Sequence, residues 1–175
     1  EGKIEAIKYS RENKIPYLGL CYGMQLACVE WARNVLKLEN ANSEEVDPNC
    51  KYKIIHSIPE DEKYQKVITK GVSMRIGGFD CMLKSGTISE RIYGSNHINE
   101  RHRHRFEFNN EYREKFEESG FIFSGTSPDD FFVEMIELPK EIHPFFIATQ
   151  AHPEYKSTPL NPHPIFVEFV KQVIN

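Results

Sequence analysis

The chain opens on a period of three to four. Ile4, Ala6 and Ile7 face one way between Ile4 and Lys14, which predicts a short amphipathic helix that Pro16 ends. Tyr17-Leu18-Gly19-Leu20 then forms a brief apolar run of the kind that makes a buried strand. Cys21 follows at once. Behind it Met24, Ala27, Cys28, Trp31, Val35 and Leu36 recur at steps of three or four, one stripe of a second helix. Helix, strand, sharp turn and helix in succession predict an α/β domain: a three-layer sandwich around a central, mostly parallel sheet.

The rest of the pattern is mixed. Lys53 to Ser57, Val72 to Leu83, Phe121 to Phe123, Phe131 to Leu138 and Pro144 to Thr149 read as strands, the second broken at Gly77-Gly78. Phe106 and Phe108 alternate with charge in a strand-like way. Asn110 to Ser119 reads as a helix with Tyr112 and Phe116 inward and Gly120 as its stop. Pro164 to Ile174 predicts a closing helix with Ile165, Phe166, Phe169, Val170 and Val173 inward. Asn40 to Gly71 is polar, weakly periodic and too long for a plain connection, so it reads as a surface excursion, either a lid or an ordered loop without a role.

Composition changes this picture little. The chain has 175 residues, which suits one domain, and 39% hydrophobic residues supply a core. A net charge of −4 gives no reason to expect a nucleic-acid or anionic-membrane partner. No apolar run approaches the ~20 residues of a membrane helix. The opening Glu1-Gly2-Lys3 leads straight into helix and carries no signal-peptide pattern, so the chain reads as a fragment. Cys21, Cys28, Cys50 and Cys81 form no C-x-x-C pair and read as thiols of a cytoplasmic protein.

Chemistry concentrates at Gly19-Leu20-Cys21-Tyr22-Gly23-Met24-Gln25. A nucleophile on a tight strand-to-helix turn needs small neighbours, and Gly19 and Gly23 flank Cys21 at i−2 and i+2. The turn lifts the thiol to a helix N-terminus, whose dipole favours the thiolate, and aims the Tyr22 N–H at a developing oxyanion. The same glycines also suit a buried structural cysteine. A thiolate nucleophile needs a proton shuttle. Gln150-Ala151-His152-Pro153-Glu154 follows the strand predicted to end at Thr149, so His152 can move the proton and Glu154 can orient the imidazole. Alone, such an H-x-E fits a surface histidine. Paired with the elbow across 131 positions, it resembles the class I, triad-type glutamine amidotransferases, whose motifs are G-x-C-x-G-x-Q and HPE.

Further stretches narrow the resemblance. Asn40-Ala41-Asn42-Ser43-Glu44-Glu45, Ser73-Met74-Arg75-Ile76-Gly77, Glu100-Arg101-His102-Arg103-His104-Arg105 with Phe106 to Asn110, and Ser157 to Phe166 are similar to elements of the glutaminase domain of CTP synthases. The Glu100 to Arg105 run argues against the glutaminases of GMP synthetases and against γ-glutamyl hydrolases. The triad argues against a purely structural module. A basic run could also suggest nucleic acid, but it lacks interleaved aromatics, and His102 with His104 lacks further ligands spaced for a metal.

The resemblance implies a flavodoxin-like glutaminase fold with Cys21, His152 and Glu154 as the catalytic triad. It implies that Tyr22, Gly23, Met24 and Gln25 contact bound L-glutamine, that Glu45 meets its α-ammonium and that Arg105 holds its α-carboxylate. On a strand Arg101, Arg103 and Arg105 share a face, so periodicity does not choose among them. Also implied are an amidoligase domain using ATP and Mg to aminate UTP, activation by GTP, and a homo-oligomer, a tetramer in the full enzyme. Two departures bear on the pocket: Tyr22 stands where the family has leucine, and Ala151 where it has a bulky aromatic. The family's glycine-rich loop, source of a second oxyanion donor, is absent from these residues, so the piece alone is expected to be inactive.

Overall fold

The computed structural model describes residues 1–58 and 74–174. Helix α1 (Gly2–Glu12) buries Ile4 and Ile7. It ends before Lys14, because Asn13 Nδ2 donates to the Tyr9 carbonyl at 2.8 Å and Lys14 turns left-handed at φ 56°. Strand β1 (Tyr17–Leu20) leads through Cys21 into α2 (Tyr22–Asn34). Every residue of α2 from Met24 to Ala32 is buried, so the predicted stripe widens to the whole circumference.

The later elements are β2 (Asn42–Ser43), β3 (Lys53–Ser57), β4 (Arg75–Leu83), α3 (Ile88–Tyr93), β5 (His97–His104) and β6 (Phe106–Phe108). A 3₁₀ turn (Asn110–Tyr112), α4 (Arg113–Glu118), β7 (Ile122–Thr126), β8 (Val133–Glu137), β9 (Phe146–Thr149), a second 3₁₀ turn (Pro153–Lys156) and α5 (Pro164–Ile174) complete the described chain. Helix α3 was not legible in the pattern. The expected break at Gly77-Gly78 does not occur, since β4 runs through both with Gly77 at φ 116°. The excursion beyond Ile58, the Val72 start of the predicted strand and Ser73 lie outside the described residues.

Six strands form the main sheet in the order β1-β9-β8-β7-β4-β5, and β2-β3-β6 form a smaller one. The α/β class and the layering agree with the pattern, but the expected mostly parallel sheet needs correction. Among the described residues, only β1 and β9 pair in parallel in the main sheet; β9-β8, β8-β7, β7-β4 and β4-β5 are antiparallel. For β7-β8 and β8-β9 the cause is link length. Residues 127–132 and 138–145 join β7, β8 and β9, and links that short cannot make the crossover a parallel neighbour requires.

Side chains alternate across the sheet into two cores. Tyr17, Phe146 and Ala148 pack with α1, α2, α4 and the small sheet. Leu18, Phe145 and Ile147 pack with α3 and α5. In α5 the predicted inward set is too wide. Ile165 is fully buried and Phe166 and Phe169 pack on the core, whereas Val170 and Val173 are 54% and 57% exposed.

Candidate active site

The parallel pair of the main sheet, β1 and β9, builds the site. Leu20 registers with Thr149, so the chain leaves β1 and β9 side by side and in the same direction. The Cys21 N–H extends this ladder, donating to the Thr149 carbonyl at 2.8 Å. Cys21 has φ 48° and ψ −101°, a sparsely populated conformation that costs on the order of 1–3 kcal/mol. Gly19 makes it possible: a Cβ there would stand 2.9 Å from Ala148 Cβ and 3.0 Å from the Gly23 carbonyl carbon. Gly23 is different, since a Cβ would meet only the Tyr17 hydroxyl at 3.5 Å. That hydroxyl donates to the Gly23 carbonyl at 2.9 Å and braces the turn.

Position at the helix start does not by itself ionise the thiol. Burial pushes Cys21 up to about 11, and hydrogen bonds from the Tyr22 N–H and the Gln150 carboxamide pull back only in part. The expectation that the helix dipole favours the thiolate is therefore outweighed by desolvation. At neutral pH the sulfur carries its proton and needs a base.

His152 follows β9 and is anchored by its own N–H, which donates to the Arg101 carbonyl at 2.7 Å. Its Nδ1 stands 2.6 Å from Glu154 Oε1, and its ring stacks on Tyr155 with centroids 5.3 Å apart. That carboxylate orients the imidazole so that Nε2 is left for chemistry. The side-chain donor on the Cys21 sulfur is Gln150 Nε2 at 3.6 Å rather than His152.

A cavity of about 480 Å³ opens above the elbow, lined by Cys21, Tyr22, Gln25, Glu45, Arg103 and Arg105 together with Val46, Met74, His104 and Phe106. Among the residues predicted to contact a ligand, Tyr22, Gln25, Glu45 and Arg105 line it; Gly23 and Met24 do not, Met24 being fully buried in the core. The structure separates Glu45 from its neighbour. Glu44 is bound to Lys53 Nζ at 2.6 Å and to the Ser57 N–H at 2.9 Å, which holds its carboxyl down at about 2, while Glu45 faces the cavity. Among the three arginines, Arg103 and Arg105 line the cavity, whereas Arg101 faces a separate hollow beside Ile76 and Tyr155. Strand β5 ends at His104, so Arg105 stands at the corner before β6.

Beneath the cavity the exposed arginines alternate with a buried charge cluster. Arg75, 1% exposed, binds Glu107 at 3.0 Å and Glu134 at 2.5 Å, between the rings of Phe79 and Phe132. His102 and His104 touch each other at 2.9 Å and approach Glu134 and Glu107 at 3.6 and 3.3 Å. Sequence reasoning missed this cluster and a role for Gln150, and it left Arg103 undecided beside Arg105. The signal for Gln150 was its place two residues before His152; nothing local marked Arg75 as buried.

Comparison with known proteins follows from this geometry. The sequence model of class I glutamine amidotransferases matches residues 1–172. The chain is 53% identical over 175 residues to a CTP synthase of Caldanaerobacter subterraneus, covering all of this chain and 32% of that protein. A CTP synthase of Staphylococcus epidermidis matches at 53% with the same coverage. The chain thus spans about a third of the length of the curated relatives it matches. Among solved structures, the glutaminase domain of Trypanosoma brucei CTP synthase with bound acivicin superposes with a TM-score of 0.88 at 34% identity, over 99% of this chain and 65% of that one. A glutamine amidotransferase of Thermotoga maritima shares the fold, with a TM-score of 0.51 at 15% identity, over 87% of this chain and 46% of that one.

Proposed function

Since the chain belongs to the class I glutamine amidotransferase family, we propose that it hydrolyses L-glutamine through Cys21, His152 and Glu154. The observation that carries this reading is one cavity holding a nucleophile, an anion and cations: Cys21 with Glu45, Arg103 and Arg105. A zwitterionic amino acid needs that set, and a guanidinium fork suits its α-carboxylate. Arg105 is assigned the carboxylate and Glu45 the ammonium, with Tyr22 and Gln25 flanking the amide.

In this mechanism the Sγ–H proton passes to His152 Nε2 as sulfur attacks the side-chain amide carbon. The Tyr22 N–H stabilises the oxyanion, and the tetrahedral adduct collapses with the proton returned to nitrogen, releasing ammonia and leaving a glutamyl thioester. Water deprotonated by His152 cleaves the thioester to glutamate and frees the thiol. The Cys21 thiol, raised to about 11, makes His152 obligatory near neutral pH.

The names of the relatives support a larger assignment. The chain is the glutaminase part of a cytoplasmic CTP synthase, and its ammonia feeds the amination of UTP to CTP. The amidoligase domain of the same protein uses ATP and Mg, GTP acts as activator, and the whole enzyme is a homo-oligomer, a tetramer.

A glutamine-mimicking electrophile tests the site. It is expected to label Cys21 and to spare Cys28, Cys50 and Cys81; adducts on those three with Cys21 untouched overturn the assignment. Glu45→Gln and Arg105→Met are expected to raise the glutamine KM at least ~10-fold, and an unchanged KM removes their roles.

A further inference from the structure

The triad leaves the Cys21 sulfur with a hydrogen bond that it does not explain. Gln150 is fully buried, and its backbone N–H donates to the Glu134 carbonyl at 2.8 Å, locking it to β8. Its side-chain partners fix which way the carboxamide points. The Phe106 carbonyl can only accept, so Gln25 presents Nε2 to it at 2.9 Å. The second hydrogen of that Nε2 meets Gln150 Oε1 at 3.2 Å. Gln150 must then turn its own Nε2 toward Cys21 Sγ, 3.6 Å away.

We propose that Gln25 and Gln150 form an amide relay, anchored on the Phe106 carbonyl, that holds the Cys21 sulfur in its attacking rotamer and donates to it as negative charge develops. The inference rests on the glutaminase reading above and deepens it by adding Gln150 to the groups that touch the reacting atom. A buried N–H donor stabilises a thiolate more than a neutral thiol, so it opposes the desolvation that keeps Cys21 protonated. It does so without a charge that would compete with His152 for the proton. It also explains why Gln25, in the first turn of α2, is 3% exposed although it lines the cavity.

The test uses Gln150→Leu and Gln150→Met in the protein that carries this chain. The Met variant keeps the unbranched length of glutamine should the Leu variant not fold. The rate of Cys21 alkylation by iodoacetamide, mapped by peptide, is followed against pH, and glutaminase kcat and KM are measured alongside. The expected result is an alkylation midpoint about one pH unit higher, with kcat down about tenfold to hundredfold and KM within about threefold. A folded variant whose midpoint does not move overturns the relay, as does a change confined to KM. Loss of cooperative melting in both variants also overturns it, by making Gln150 structural. If Cys21 of the unmodified protein resists alkylation at every pH, the glutaminase reading itself fails. If only the variants fail to shift, the relay alone does.

Discussion

Two sets of histidine and carboxylate differ sharply in their access to water. His152 and Glu154 stand 2.6 Å apart with side chains 20% and 43% exposed. His102 with Glu134 and His104 with Glu107 stand 3.6 and 3.3 Å apart, all with side chains 1–3% exposed. Burial drives His102 well below the usual imidazole range and His104 to about 3, so both rings are neutral at physiological pH. Burial also pushes the Glu107 carboxyl up to about 7 and raises Glu134, with Arg75 pulling both back. Proximity is thus similar in the two sets and solvation decides the outcome. Where water does not reach, one guanidinium serves two carboxyls and the rings become packing.

The largest effect is expected at the hub of the buried set. Arg75→Met leaves two buried carboxyls without their cation and should cost about 3–5 kcal/mol in urea unfolding. Adding Glu107→Gln and Glu134→Gln should recover most of it. A cost below about 1 kcal/mol for the single change would break the contrast drawn here.

The cysteine elbow next to the exposed set is shaped by backbone crowding, and its two glycines differ in that respect. Gly19→Ala forces a Cβ against Ala148 and the Gly23 backbone and should cost about 1–3 kcal/mol in melting experiments. Gly23→Ala, with ordinary contact only, should stay within about 1 kcal/mol of the parent. Equal costs would mean that crowding at the turn is not what selects glycine.

The smallest effect is a slope. Glu107 titrates near 7 in the fold against an ordinary value of 4.5. Between those values the folded chain holds a proton that the unfolded chain has released, so stability falls as pH rises. His104 acts the other way: lowered to about 3 from 6.5, it adds stability as pH climbs through that window. Glu107→Gln removes the first contribution and keeps the second. Stability between pH 5 and 7 should then rise more steeply with pH, by about 1 kcal/mol per unit. An unchanged slope would mean that burial does not raise the Glu107 carboxyl.

Much of the site was legible because its parts are local. The strand, the flanking glycines and the helix behind Cys21 are consecutive, and so are His152, Pro153 and Glu154. Gln150 was in view but without a role, because its partners Gln25 and Cys21 lie 125 and 129 positions away. The arginine run was legible as a strand with one exposed face. That Arg105 stands at a corner and not in the strand depends on β5 ending at His104, a boundary that alternation does not mark.

The sequence by itself determined the local devices: an α/β domain, a cysteine on a strand-to-helix turn, a histidine with its acid, and a glutamate and arginines able to meet an amino acid. It could do so because periodicity, glycine placement and short spacing act over a few residues. Only the tertiary structure decided that the sheet is mixed, that β1 and β9 are its parallel pair, and that Cys21 and Gln150 leave those strands as neighbours. It also decided which charges lose their water. Strand partners and burial are set by residues far apart in the chain, and they leave one histidine–carboxylate pair beside water and seal the others in a dry packing cluster.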